Sequence, residues 1–140
     1  MNNKPIKTTL NSQEEDMGTE IRKKVLGTIH VANAKANTTE FDKPFQDFIT
    51  AGAWGRVWAR PHLTLREKSI LTIALLASMG HDEELEMHLK ATKNTGASAQ
   101  DISEALLHVA VYAGVPAANN AIKIAKRVYQ ENESIREKQK

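Results

Sequence analysis

The chain has 140 residues and no cysteine, with 41% hydrophobic and 26% charged residues. At that length one core buries roughly two-thirds of the unfolded surface, so one domain is the default. Zero cysteine excludes disulfide scaffolds, thiolate nucleophiles, dithiol redox chemistry and zinc ribbons, and 19 Lys+Arg against 17 Asp+Glu, a net +2, is too balanced for a nucleic-acid footprint.

The longest apolar run, Ile70 to Ala77, falls far short of the roughly 20 residues that span a bilayer. The N-terminus is polar, with Asn2, Asn3, Lys4 and Lys7 and no apolar segment of a secretory signal. The expectation is a cytoplasmic protein with neither membrane nor nucleic acid as partner.

The periodicity is helical almost throughout. Residues 1–11 read as a flexible arm, 12–131 as the helical domain, and 132–140 as a charged tail expected to fray. From Gln13 to Ala34, Met17, Ile21, Val25 and Ile29 recur every four residues and predict one helix with one apolar face. A second helix is expected after Thr38 or Thr39 as N-cap, carrying Phe41, Phe45, Phe48 and Ile49 and loosening near Gly52 and Gly55. Pro61 ends that region. Thr64 and Glu67 have capping-box spacing and open a third helix, Leu65 to Met79. It is apolar on nearly all sides, so it is expected to be the central buried helix. Gly80 stops it, and Asp82 is placed as the cap of a fourth helix that ends near Asn94 and Gly96. Ser98 with Asp101 opens a fifth, with Ile102, Ala105, Leu106 and Val109 inward. Gly114 breaks it, and Pro116 sits in the first turn of the last helix. The reading is an all-α single domain of about six helices.

Several side chains carry chemistry. His81, Glu84 and His88 lie at a spacing that metal sites use, against the plainer reading of polar residues at a helix start. His88 borders the apolar face beside Leu85 and Leu89; it reads either as a satisfied core histidine or as one oriented by Glu84, four residues earlier. His108 and Tyr112 form another i, i+4 pair, expected as a buried polar pair that fixes packing. The stretch Trp54 to His62 gathers both tryptophans with Arg56 and Arg60. Aromatic walls and guanidinium groups suit an organic anion. The alternative is a loop pinned by two large side chains.

Blocks in order across residues 18–128 resemble the carboxymuconolactone decarboxylase family, within the alkylhydroperoxidase D-like fold. They are Arg22-Lys-Lys-Val-Leu-Gly27-Thr-Ile-His30-Val31, Ala53-Trp54-Gly55, Trp58-Ala-Arg60-Pro61 and Lys68-Ser69-Ile-Leu-Thr-Ile-Ala74. Glu86-Met-His88-Leu89 and Val111-Tyr112-Ala-Gly114-Val-Pro116-Ala-Ala-Asn119 complete the set. In the fold's redox branch, a relay glutamate, two cysteines and a histidine fall where this chain has Ser69, His81, Glu84 and His88. A peroxidatic thiolate is therefore impossible here. Glu67 and His62 depart from the decarboxylase pattern, which tends to an uncharged residue and glycine there.

The resemblance implies a cofactor-independent decarboxylase that needs no metal and acts on 4-carboxymuconolactone or a similar carboxylated lactone. The alternatives are a same-fold enzyme for another lactone or keto acid and a non-enzymatic ligand-binding helical oligomer. Its site residues carry over as His88 and His30 in catalysis. Arg22, Trp58, Arg60, Tyr112, Asn119 and Glu67 carry over in substrate binding. A homo-oligomer, trimer or hexamer, is implied as well.

Overall fold

A computed structural model describes residues 12–140, so the expected arm at 1–11 lies outside the described residues. Those residues form seven α-helices and one π-helix, without a strand. The all-α expectation holds. Contacts gather the chain into two compact units: the described residues up to Lys24 with Thr28–Pro61, and Val25–Gly27 with His62–Lys140.

The first unit opens with α1 (Ser12–Leu26), whose first turn carries Glu14 and Glu15 and whose last turn carries Lys23 and Lys24. Those signs match the helix dipole. The single helix expected from Gln13 to Ala34 is instead two, because Gly27 adopts φ 95°, a left-handed conformation that stops an α-helix and favours glycine. After it, α2 (Thr28–Asn37) buries no residue. The expected stripe is therefore partial: Val25 is fully buried, while Met17 and Ile29 are exposed.

Helix α3 (Lys43–Ile49) starts later than expected, with Asp42 as N-cap and proline in its first turn. The Asp42 carboxylate accepts from the Thr39 backbone N–H at 2.7 Å and its hydroxyl at 3.2 Å, fixing the turn before the helix. Phe41, Phe45 and Phe48 all stand exposed. Where loosening was expected near Gly52 and Gly55, the chain continues as a nine-residue π-helix, Thr50–Trp58, that buries Ala51, Trp54 and Trp58. Backbone contact explains two of its neighbouring glycines. A Cβ on Gly18 of α1 would lie 1.9 Å from the Thr50 carbonyl oxygen, and one on Gly55 would lie 2.2 Å from that of Glu14. The two helices touch main chain to main chain there. Arg56 Nε adds a 2.8 Å ion pair to Glu14.

The second unit holds α4 (Leu65–Met79), α5 (Asp82–Thr95), α6 (Ala99–Tyr112) and α7 (Val115–Lys138). Its core joins Ile73, Leu85, Leu89, Ile102, Leu106 and Val128, each contributing about 1.5–3 kcal/mol by leaving water. The capping boxes expected at Thr64–Glu67 and Ser98–Asp101 are both formed. Ile102, Ala105, Leu106 and Val109 point inward as expected. The residue N-terminal to α5 is His81, so Asp82 is its first helical residue and not its cap. Helix α4 is not buried all round: Ser69, Ile73 and Ala77 form its buried stripe, while Leu71, Leu75 and Met79 are about half exposed. Helix α7 runs unbroken through the expected tail to Lys138, as a stretch rich in Glu, Arg and Lys favours.

Candidate active site

Four of the eight predicted site residues fall in the first unit. Arg22, on the last turns of α1, is partly buried, and its Nη1 donates to Gln46 Oε1 of α3 at 3.2 Å. It lines a cavity of about 450 Å³ together with Lys35, Lys43 and Gln46. That volume suits a small ligand. His30 sits on the first turn of α2, partly buried. Trp58 is buried and stacks on Trp54, their ring centroids 5.0 Å apart and 29° from coplanar. Trp54 and Trp58 therefore form one apolar block within the π-helix. Arg60 follows that helix with its side chain exposed, its backbone N–H held by the Val57 carbonyl.

The other four fall in the second unit. His88 is 6% exposed on the face of α5 that also buries Leu85, Leu89 and Thr92. Glu84, one turn before it, is exposed, as is His81. The three are thus not gathered, and among the described residues no cluster of three His, Asp or Glu side chains is placed to hold a metal ion. Ser69 is fully buried, and its Oγ makes no hydrogen bond among the described residues, a cost on the order of 1–3 kcal/mol.

Glu67 is committed locally. Its Oε1 accepts from the Thr64 backbone N–H at 3.0 Å and from the Thr64 hydroxyl at 2.9 Å. These bonds, backbone first, hold its carboxyl below the usual carboxylate range. Nearby, Asp101 takes two hydrogen bonds from Arg66 and one from the Ser98 backbone N–H, which lower its pKa to about 2. Tyr112 is 86% exposed, its ring roughly parallel to that of His108 at 6.4 Å. The buried pair expected there is corrected: α6 buries positions 102, 105, 106 and 109, which turns 108 and 112 outward. Asn119 is exposed in the first turns of α7, and its neighbour Asn120 makes the anchoring bond, to Asp82 at 2.8 Å.

Residues 43–127 match the model of the carboxymuconolactone decarboxylase family. The chain belongs to that family. Among curated proteins, it is 41% identical over 119 residues to the 4-carboxymuconolactone decarboxylase of Acinetobacter baylyi, covering 85% of this chain and 89% of that one. It is 40% identical over 112 residues to the nitrosuccinic acid decarboxylase of Metarhizium robertsii, covering 80% of this chain and 78% of that one. An uncharacterized 15.0 kDa protein of Paracoccus denitrificans is 27% identical over 82 residues, 57% of this chain and 61% of its own.

The match to the carboxymuconolactone decarboxylase family opens on the first residue of α3 and closes within α7. It takes in Trp58, Arg60, Glu67, His88, Tyr112 and Asn119, whereas Arg22 and His30 precede it. Lys35 and Gln46, which join Arg22 in the cavity, are not among the site residues that the sequence of this family member marks. Neither belongs to one of the six sequence blocks. The spatial signal was the interhelical bond from Arg22 to Gln46, 24 residues apart.

Proposed function

We propose that the chain is a carboxy-lyase for 4-carboxymuconolactone, with an alkylhydroperoxidase D-like fold assembled as a homo-oligomer, trimer or hexamer. The observation that carries this reading is the 41% identity to a decarboxylase named for that substrate across nearly the full length of both chains. The chemistry is self-contained. The bond to the departing carboxylate breaks, CO2 leaves, and the electron pair enters the unsaturated lactone, whose carbonyl becomes an oxyanion. One proton then goes to carbon to give the enol-lactone. The substrate supplies the electron sink, so what the protein must add is donors for the oxyanion, a proton source and a hold on the retained carboxylate.

Each role but that of Glu67 is assigned to a residue that the family blocks mark. His88 donates the proton: an imidazole can hold a proton on either ring nitrogen and pass it on, and its burial beside leucines suits a step that profits from poor solvation of the leaving carboxylate. His30 is the second donor to the oxyanion. Arg22 and Arg60 bind carboxylates, Trp58 walls the ring, and Tyr112 and Asn119 supply neutral hydrogen bonds. Glu67 orients without reacting, in keeping with the engagement of its carboxylate by Thr64.

The similar identity to a nitrosuccinic acid decarboxylase favours one second reading, the same bond cleavage with a nitro group as the sink. Both acids are to be offered to the purified chain, with substrate loss followed by ultraviolet absorbance and CO2 measured directly. Turnover of the lactone with preference over nitrosuccinate is expected, and the reverse preference selects the second reading. If neither acid loses CO2, the remaining readings are a same-fold enzyme for another lactone or keto acid and a ligand-binding oligomer, which a panel of carboxylated lactones separates. Replacing His88 by Gln is expected to lower kcat by about 10²-fold or more with the helical circular dichroism retained; unchanged turnover removes His88 from the chemistry.

A further inference from the structure

The cavity of the first unit has a lining chosen for one kind of ligand. Arginine only donates hydrogen bonds, so the Gln46 amide must turn its oxygen to Arg22. That orientation leaves the Gln46 NH2 as a donor. Lys35, on the last turn of α2, is exposed and takes part in no ion pair among the described residues. Two acids also line the cavity. Asp47 is held by Lys43 at 2.5 Å, and Glu15 also acts on Lys43, so three bases and two acids leave the lining net positive. Two of its three lining threonines spend their hydroxyls locally, Thr19 on the Glu15 carbonyl and Thr38 on the Ala34 carbonyl.

We propose that this cavity is a carboxylate-recognition subsite in which Gln46 positions Arg22 and offers its own NH2, and Lys35 supplies the second cation. The ligand is a small carboxylic acid anion, and specifically the carboxylate that the substrate keeps through the reaction. The identity of that ligand rests on the decarboxylase reading; the site itself rests on the cavity. The lining favours a carboxylate because it presents planar guanidinium and amide donors together with an ammonium, and charge-assisted bonds of this kind are the strong ones.

Three variants test it, none of them touching Arg22. Gln46→Glu keeps an oxygen for Arg22 but removes the NH2 donor and adds a negative charge. A purely structural Gln46 predicts no harm, since an Arg–carboxylate pair replaces a neutral bond. A carboxylate subsite predicts that KM rises on the order of tenfold or more while kcat stays within about twofold. Lys35→Met, which keeps the stem and removes the charge, is expected to raise KM about tenfold, and Lys35→Arg to restore it. Calorimetry with succinate, a small dicarboxylate probe, is run on the same proteins. Loss of succinate binding in Gln46→Glu and Lys35→Met supports the subsite even if no decarboxylation is found, in which case the decarboxylase reading alone fails. Turnover with unchanged KM in both variants overturns the subsite and leaves the decarboxylase reading standing. Absence of succinate binding together with absence of turnover overturns both.

Discussion

The Asp101 carboxylate, shared between a guanidinium and a helix N-terminus, turns a surface residue into a pH-sensitive fastener. Its pKa is lowered to about 2, first by the hydrogen bonds from Arg66 and then by the Ser98 backbone N–H. A carboxyl that is depressed in the folded state contributes stability above its unfolded value near 4, and loses it as pH falls toward the folded value. Urea midpoints measured from pH 5 down to pH 2 are therefore expected to fall more steeply for the parent chain than for Asp101→Asn. Equal slopes would mean that the pair tethers α4 to α6 without linkage to protons. Glu67 follows the same sign through its bonds from Thr64. Both effects were half legible in the sequence. The spacing of Ser98 to Asp101 and of Thr64 to Glu67 announced the caps, whereas the Arg66 bond to Asp101 spans 35 residues and no local pattern encodes it.

At the scale of the helix, the sharpest test is a comparison of glycines. Gly18→Ala would drive its Cβ to 1.9 Å from a backbone oxygen, and neither helix can yield by rotating a side chain. Gly52, within the π-helix that Gly18 packs against, would place a Cβ 4.0 Å from the Phe48 ring, an ordinary contact. Thermal unfolding is expected to show Gly18→Ala destabilised by about 2 kcal/mol or more and Gly52→Ala unchanged or slightly stabilised. A tolerated Gly18→Ala would contradict the main-chain contact between α1 and the π-helix. The ends of α4 and α6 were readable because a capping box and a glycine frame each of them, and the end of α5 because Gly96 stops it. The break at Gly27 was not, since the four-residue apolar rhythm runs through it from Val25 to Ile29. Nor was the π-helix, because its hydrogen bonds leave no mark in periodicity that distinguishes it from a loosened α-helix with two glycines.

At the scale of the molecule, apolar side chains remain uncovered on both units: Phe41, Phe45 and Phe48 on the first, and Leu71, Leu75, Leu107 and Val111 on the second. Patches of that kind mark association surfaces, in line with the proposed homo-oligomer. Light scattering of the purified chain is expected to give a trimer or hexamer, and the double variant Leu71→Glu, Leu75→Glu a smaller species with its helix content kept. A monomeric parent at micromolar concentration would remove the oligomer from the proposal. The apolar composition of α4 predicts a core helix, but composition alone does not say whether the second apolar face of such a helix meets its own chain or another. The meshing of α1 with the π-helix leaves a trace in the count of residues. Glu14 and Gly18 are four apart, the hydrogen-bond spacing of an α-helix, while Thr50 and Gly55 opposite them are five apart, the spacing of a π-helix. A chain that builds this contact from two ordinary α-helices would be one residue shorter between Thr50 and Gly55, so that span is the place where an alignment gap of a single position is expected to preserve the contact.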